Sequence, residues 1–424
     1  MRRHHFIYLI AAAWFVGLYY TRFTLTLAMI ATIAAALFEM RGGSIRVRPG
    51  LGRALRTFWE HSDFVSVTVP ALLVIISLLW SSDWAYWGTR FNIRLPFLLL
   101  PVAFYLLPRL RWSQYRIISY LYLGTALFAC CYALVLYALD FEAINIRIGQ
   151  GQSLPTRYSH VRFSLQAAFA AVMSGIFYLE HRPVRYVWER WILGGLAVFF
   201  FAFVHVMSVR SGLLVMYACI GLLGAMYVVR RRQWLVGAIA LAIMIVLPVV
   251  AFHMLPSFKQ KVGYALYDYE MYRSNGGAGY SDSQRLMSYQ VGWEVFRSAP
   301  VIGVGMGDVL YEVNATYDRR YPELRPEARI LPHNEYLTHL AGVGVVGTLL
   351  FVAAFLWPLL YRKHYRDPVF LALHLIIGLS FLVENTIETA IGTGFYIFFL
   401  LMGLHRLQED KKVAAADTKK REIG

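Results

Sequence analysis

"WLVGAIALAIMIVLPVVAFH", residues 234–253, contains no acid, lysine or arginine, and it runs directly into "MLPSFKQKVGYALYDYEMYRS", residues 254–274, where charges and tyrosines return. At about 1.5 Å of rise per residue, an uncharged helix of this length measures roughly 30 Å, the thickness of a bilayer's hydrocarbon core. The first stretch therefore reads as a membrane span and the second as the start of an extramembrane element. Eleven further apolar stretches fall at 6–20, 23–38, 64–80, 91–107, 117–139, 160–179, 191–207, 211–229, 336–359, 369–386 and 391–406. The chain is 58% hydrophobic and only 16% charged, which excludes an ordinary soluble domain. The expected fold is an all-α integral membrane protein of about twelve transmembrane helices. Residues 1–253 carry the first nine, 254–332 form one large loop with amphipathic helices, 333–406 carry the last three, and 407–424 form a tail. The start, "MRRHHFIYLIAAAWF", has the basic head and apolar middle of a signal peptide. A second apolar run follows after Tyr20–Arg22 with no convincing cleavage site, so a retained helical hairpin is expected.

Cations give the orientation. With an inward N-terminus, the inward loops carry Arg41, Arg46, Arg48, Arg53 and Arg56, then Arg109, Arg111 and Arg116, then Arg182, Arg185 and Arg190. Arg230–Arg232, Arg362, Lys363, Arg366 and the Lys-rich tail continue the alternation. The short outward loops hold Arg22, Arg90, Arg147, Arg157 and Arg210. The positive-inside rule then places both termini in the cytoplasm. The net charge of +16 is mostly this topology signal, directed at anionic headgroups, and nucleic acid is not an expected partner. Cys130, Cys131 and Cys219 all lie in apolar stretches and read as small buried hydrophobes. The large loop has no cysteine and must be held by packing. The tail "EDKKVAAADTKKREIG", charged and without aromatics, is expected to be disordered.

The large loop is where chemistry is to be sought. "PSFKQKVGYALYDYEMYRS" has helical spacing, and the glycines of "NGGAGYS" end it. A second helix then begins at Asp282 or Ser283, with Leu286, Tyr289, Trp293 and Phe296 along one face, positioned to lie on the membrane or on the first helix. Arg285 stands near its start, where the helix dipole disfavours a cation; an anionic ligand or plain solvation accounts for it. Gly303, Gly305 and Gly307 in "SAPVIGVGMGD" lack the strand and the spacing of a dinucleotide fingerprint and read as a close backbone approach to a ligand or another helix. His333 and Asn334 open the tenth span, where free N–H groups favour an anion; equally, Asn334 serves as a helix cap and His333 as an interfacial side chain. Arg210 lies in a junction too short to need a cation, and reads either as functional or as a side chain snorkelling to headgroups. Arg94, Arg162, Glu384 and Glu388 are charges within or beside spans; Glu384 and Glu388, four apart, read as one helical face that pairs with arginines. His205, His253, His339 and His374 lack metal-ligand spacing, so neither a metal nor another cofactor is expected.

"SVRSGLL" (208–214), "SQRLMSYQVGWEVFRSAPVIGVGMGD" (283–308), "HNEYLTHLAGVGVVGTLLF" (333–351) and "VENTIETAIGTGFYIFFLLMGL" (383–404), in this order around a single large loop, resemble the successive blocks of the O-antigen ligase and polymerase superfamily. The likeness covers the C-terminal half from Arg210 onward. Where members of that superfamily often carry an acid before the glycine block of the tenth span, this chain has Ala341, and no role is carried to it.

The resemblance implies a glycosyltransferase of GT-C-like architecture in the bacterial inner membrane, its site on the periplasmic face. Its donor would be a polysaccharide on undecaprenyl diphosphate, its acceptor the lipid A–core oligosaccharide for a ligase or a second carrier-linked repeat unit for a polymerase. Surrounding lipid would admit the carrier tail laterally. Arg210 and Arg285 would hold the departing diphosphate with Asn334 assisting, and His333 would take or position the acceptor proton. Tyr264, Tyr267, Tyr269, Tyr272 and Tyr280 would stack on sugars or pack the loop. A transporter or flippase would instead line a mid-membrane path with its polar residues, and a non-catalytic assembly factor would not need these residues to converge.

Reporter fusions after Arg53, Arg111, Arg185, Arg231 and Arg366 are expected to report cytoplasm, and one near Gly277 the opposite side. A cytoplasmic signal at Gly277 overturns this sidedness.

Overall fold

A computed structural model describes residues 3–41, 44–108, 110–180, 184–275 and 281–423. The chain begins with a helical hairpin, α1 (Arg3–Tyr19) and α2 (Arg22–Leu37), followed by a short antiparallel pair, β1 (Phe38–Arg41) and β2 (Ser44–Val47). Then come α3 (Leu51–Phe58), α4 (Ser62–Val65), α5 (Val69–Ser77), α6 (Trp84–Leu106), α7 (Trp112–Leu139), α8 (Phe141–Gly149) and α9 (His160–Glu180). Next are α10 (Val187–Met207), α11 (Arg210–Arg231) and α12 (Trp234–Met254). The large connection folds as α13 (Pro256–Asn275), α14 (Ser281–Ser298) and α15 (Val309–Arg320), and the chain ends with α16 (Glu335–Leu360), α17 (Pro368–Ser380) and α18 (Ala390–Ile423).

Each of the twelve apolar stretches falls mainly on helix, and the protein is an all-helical, multi-pass membrane protein apart from the β1–β2 hairpin. Among the described residues, seven helices are long and apolar enough to cross a bilayer, or eight if the bent pair α3 with Ser62–Ser77 counts as one broken span. Phe6–Tyr19, Arg22–Leu37 and Pro368–Ser380 are shorter apolar helices. The remaining stretch, in α6, carries Arg90 and Arg94 inside its apolar run. Helix α9 is buried along most of its length and is a central element, whereas α12 lies almost wholly open to the surroundings, as a lipid-facing helix would.

One junction determines how the large connection meets the bundle. Helix α16 is interrupted at Gly344 (φ 65°), so Val345 N and Val346 N cannot reach the carbonyls of Ala341 and Gly342. Chain from the connection replaces them: Val345 N donates to Pro300 O (2.9 Å) and Val346 N to Val301 O (3.2 Å). The orphaned carbonyls are satisfied in turn, Ala341 O accepting from Val304 N and Gly342 O from Gly305 N, each at 2.9 Å. A break in a membrane helix is tolerable only when its freed backbone groups find partners in protein, and here all four do. The approach requires glycine, since a Cβ at Gly344 would lie 2.3 Å from Val301 O and one at Gly303 (φ 73°) 2.4 Å from Gly342 C. The glycine run is thus a backbone approach to a helix. Asp308 then fastens the connection to the α5–α6 turn, accepting from Ser82 N (2.8 Å) and Asp83 N (2.7 Å).

The connection has its own core of Met287, Val291, Val295, Val309, Val313 and Tyr317, which Ala341 of α16 joins. Packing holds it, as the lack of cysteine requires. The inward face of α14 is therefore Met287, Val291 and Val295, while Leu286 and Trp293 of the expected aromatic face are exposed.

Other expectations need correction. Residues 381–389 are not the end of a span, because α17 stops at Ser380; Glu384 and Glu388 consequently do not share a helical face. Cys131 is exposed: neighbours on a helix point roughly 100° apart, so burying Cys130 turns Cys131 outward. The tail continues α18 to Ile423, in keeping with the high helix propensity of its alanines, lysines and glutamate. Arg109, Arg182, Gly277, Tyr280 and the rest of the glycine break lie outside the described residues, as do the side chains of Tyr272 and Asp282.

Gly303→Ala is expected to destabilise the protein by about 1–3 kcal/mol through strain at positive φ, or more if the backbone cannot shift. Gly52→Ala in α3, where an added Cβ meets nothing within 4 Å, is the control and should be neutral or slightly stabilising. Thermal unfolding of both in detergent checks this, and equal midpoints would contradict the junction's role.

Candidate active site

The site is built where the start of α16 meets residues 381–389. Asn334 caps α16, its Oδ1 accepting from Leu337 N (3.0 Å) while its Nδ2 donates to Leu382 O (3.0 Å). Glu335 N donates to Phe381 O (2.8 Å), Ile387 N to Glu335 Oε2 (3.1 Å), and Thr338 Oγ1 to Asn385 Oδ1 (3.2 Å). The segment "VENTIET" is rich in β-branched residues and Asn, poor helix formers, and its polar side chains bond across to α16 instead of along a helix.

Two charge clusters flank this seam. In the deeper one, Arg94 on α6 bridges Glu335 (2.8 Å) and also pairs with Glu388, and Arg90 pairs with Glu388 (2.8 Å). All four side chains are at most 6% exposed, and two guanidiniums balance two carboxylates. Arg90 therefore does not belong to an outward loop; it is a buried partner one turn before Arg94. The expected pairing of Arg94 and Glu388 holds.

The outer cluster centres on Glu384. Its carboxylate lies 3.5 Å from Arg162 Nη2, 3.5 Å from His333 Nδ1 and 4.0 Å from Arg285 Nη2. Arg162 also donates to Asn385 O (2.9 Å). Burial alone would push the Glu384 carboxyl up, but the contact with His333 and the charges of His333, Arg162 and Arg285 outweigh it and hold the group below the ordinary carboxylate value. The acid is 5% exposed, whereas His333 (27%) and Arg285 (29%) are partly exposed. His333 is fixed through its backbone as well: Tyr289 Oη donates to His333 O (3.1 Å) and His333 N to Ser288 Oγ (3.3 Å). Arg285, Ser288 and Tyr289 fall at i, i+3 and i+4 of α14, so one helical face both presents the guanidinium and clamps the histidine.

Arg210 opens α11 with its side chain exposed. A Cβ at Gly212 would lie 2.5 Å from Ser164 Oγ, so the start of α11 is pressed against the start of α9, which carries Arg162. Arg210 thus stands at the same end of the bundle as the Glu384 cluster. His160, absent from the sequence-based candidates, faces Lys261, Arg285, Glu384 and Arg162 electrostatically, and Lys261 ties α13 to the 151–152 turn through Gly151 O (3.0 Å) and Gln152 O (2.9 Å). The signal for Arg162 and Glu384 in the sequence was a charge inside an apolar run; nothing there singled out His160 or Lys261. Among the described residues, no group of three or more His, Cys, Asp or Glu side chains is placed to hold a metal ion.

An imidazole and several guanidiniums at one membrane face, around one shielded carboxylate, form a setting for an anionic substrate and a proton transfer. Residues 195–352 match the family model described as O-antigen ligase. This part of the chain is similar to the O-antigen ligase domain of the ligase and polymerase superfamily. No curated protein matches the chain. The matched domain spans from α10 into α16 and contains Arg210, Arg285, His333 and Asn334, whereas Arg90, Arg94, Arg162, Glu384 and Glu388 come from outside it. Segments before and after the domain therefore complete its charge clusters.

Arg94→Ala leaves two buried carboxylates facing one guanidinium and should cost about 3–5 kcal/mol, whereas Arg147→Ala, which breaks an exposed bridge to Asp140, should cost about 0–1 kcal/mol. Unfolding midpoints of the two purified variants test the contrast, and a near-native Arg94→Ala protein would show that the deeper cluster does not hold the seam.

Proposed function

We propose that the protein is an O-antigen ligase of GT-C-like architecture, moving a polysaccharide from undecaprenyl diphosphate to the lipid A–core oligosaccharide at the periplasmic face of the inner membrane. The observation that supports this most directly is that His333 and Arg285, both in the family-matched segment, meet on Glu384, which lies beyond it. In the proposed reaction an acceptor hydroxyl attacks the anomeric carbon, the bond from that carbon to the diphosphate oxygen breaks, and the proton passes to His333. Glu384 orients the imidazole through Nδ1, leaving Nε2 for the acceptor, and its charge favours the imidazolium that forms. A contact of 3.5 Å is long for this role and tightens when substrate fills the site.

Arg285 and Arg210 take the diphosphate, whose charge increases as it departs. Guanidiniums supply this stabilisation without a metal, and a good leaving group requires no general acid. Direct displacement predicts inversion at the anomeric carbon. Asn334, with both ends of its amide engaged, contributes by holding the helix end that presents His333. A polymerase would use the same machinery with a carrier-linked repeat unit as acceptor.

The test is a purified two-substrate assay in which lipid A–core and carrier-linked repeat units compete as acceptors; preference for the repeat unit would assign a polymerase instead. Arg285→Ala and Arg210→Ala should each lose about 2–5 kcal/mol of transition-state stabilisation, roughly thirtyfold to several thousandfold in rate. Lysine at either position should restore little, since a point charge does not copy the bidentate fork. His333→Ala should lose transfer yet still bind donor. Near-normal transfer by folded Arg285→Ala or His333→Ala protein would remove the catalytic assignment.

A further inference from the structure

Helices α9, α17 and α18 each have one end at the candidate site, with His160 at the start of α9, Ser380 at the end of α17 and Ala390 at the start of α18. Their other ends enclose, with the start of α7, a narrow apolar cleft. From Ala390 to Arg406 along α18 is roughly 24 Å at 1.5 Å per residue, so the cleft opens near the opposite membrane face. Its walls include Ser119 of α7, Phe169 and Phe177 of α9, Phe370 of α17 and Phe399 of α18. Phe169 to Phe177 covers roughly 12 Å of helix, close to the depth of one leaflet, about half of the 30 Å hydrocarbon core.

The rim differs from the walls. Arg406 lies there with its guanidinium 5.3 Å from the Trp112 ring centroid and 2.6 Å from Asp367 Oδ2. An arginine laid on a tryptophan at the mouth of an apolar slot matches the two halves of a lipid, the aromatic ring at headgroup level and the slot below it. The chain ends and loops on this side also carry Arg111, Arg116, Arg185, Arg190, Arg362, Lys363 and Arg366. The acids on this side, Glu39, Glu60, Asp63, Glu180, Glu189, Asp367, Glu409 and Asp410, are outnumbered once Arg46, Arg48, Arg53, Arg56, Lys411 and Lys412 join these cations, so the field favours an anion. We propose that the cleft binds one acyl chain of an anionic glycerophospholipid, with the lipid phosphate held at Arg406 beside Trp112. The site is separate from the saccharide chemistry and does not rest on it.

The test uses the full chain in nanodiscs of phosphatidylcholine, titrated with phosphatidylglycerol brominated along its acyl chains, and reads the Trp112 fluorescence as the difference between the protein and Trp112→Phe. Brominated phosphatidylglycerol should quench Trp112 at a several-fold lower mole fraction than brominated phosphatidylcholine. Arg406→Gln should reduce that preference about fivefold, the effect of one cation near a membrane surface. Ser119→Phe, which fills the slot and leaves the rim intact, should reduce quenching by both lipids. Equal quenching by the two lipids in the unmodified protein overturns the proposal without reference to any variant, and a preference that survives Ser119→Phe unchanged overturns the acyl-chain part.

Discussion

Arg94, held between Glu335 and Glu388, is the interaction on which the geometry of the site depends. Taking four charges from water costs several kcal/mol each, and replacing such a cluster with apolar side chains often leaves a protein as stable or more so. Its value here is positional. Glu335 directly follows His333 and Asn334, and Glu388 lies four residues beyond Glu384. Arg94 also donates to Ile387 O (3.2 Å), so one side chain on α6 holds both halves of the seam on which His333 and Glu384 face each other.

A second constraint acts on Arg285. Helix α14 is anchored at two places on α16: Ser288 and Tyr289 hold His333 at the helix start, and the chain just after α14 fills the break at Gly344. Two anchors in one direction along α16 leave α14 little freedom to slide or roll. The connection is therefore not a loose lid. It is a small helical layer with its own apolar core, locked by backbone hydrogen bonds into a membrane helix, and the separation of Arg285 from His333 is set by that lock.

Much of this was legible in the sequence, for definite reasons. Long uncharged runs such as 234–253 can only be buried or spanning, and each proved helical. Arg285, His333 and Asn334 stood out as a cation near a helix start and a polar pair at a span's mouth, each of which also had a plain structural reading, and Asn334 is indeed the helix cap. The convergence on Glu384 was not legible, since residues 162, 285, 333 and 384 belong to four separate segments brought together by tertiary structure alone. Spacing misled at Glu384 and Glu388: four residues apart suggests one face only if the chain is helical, and cross-links to α16 prevent that. The direction of the aromatic face of α14 was left open for a related reason. Aromatic residues recur at helical intervals on both a buried and a lipid-facing surface, and periodicity gives the stripe without saying which way it points.

The start of α16 also limits how an anion can be bound. A helix N-terminus offers free N–H groups, but here Glu335 N is taken by Phe381 O, Leu337 N by the Asn334 side chain and Thr338 N by Asn334 O. A buried carboxylate, Glu335, already occupies the first turn, where the helix dipole favours negative charge. Little of that end is left for a diphosphate. For an anionic group at this face the side chains remain, and the half-buried guanidinium of Arg285 lies near a histidine held through its backbone. The two clusters differ in depth: the inner one is closed and charge-balanced, while the outer one, with its partly exposed guanidinium and imidazole, borders the surface.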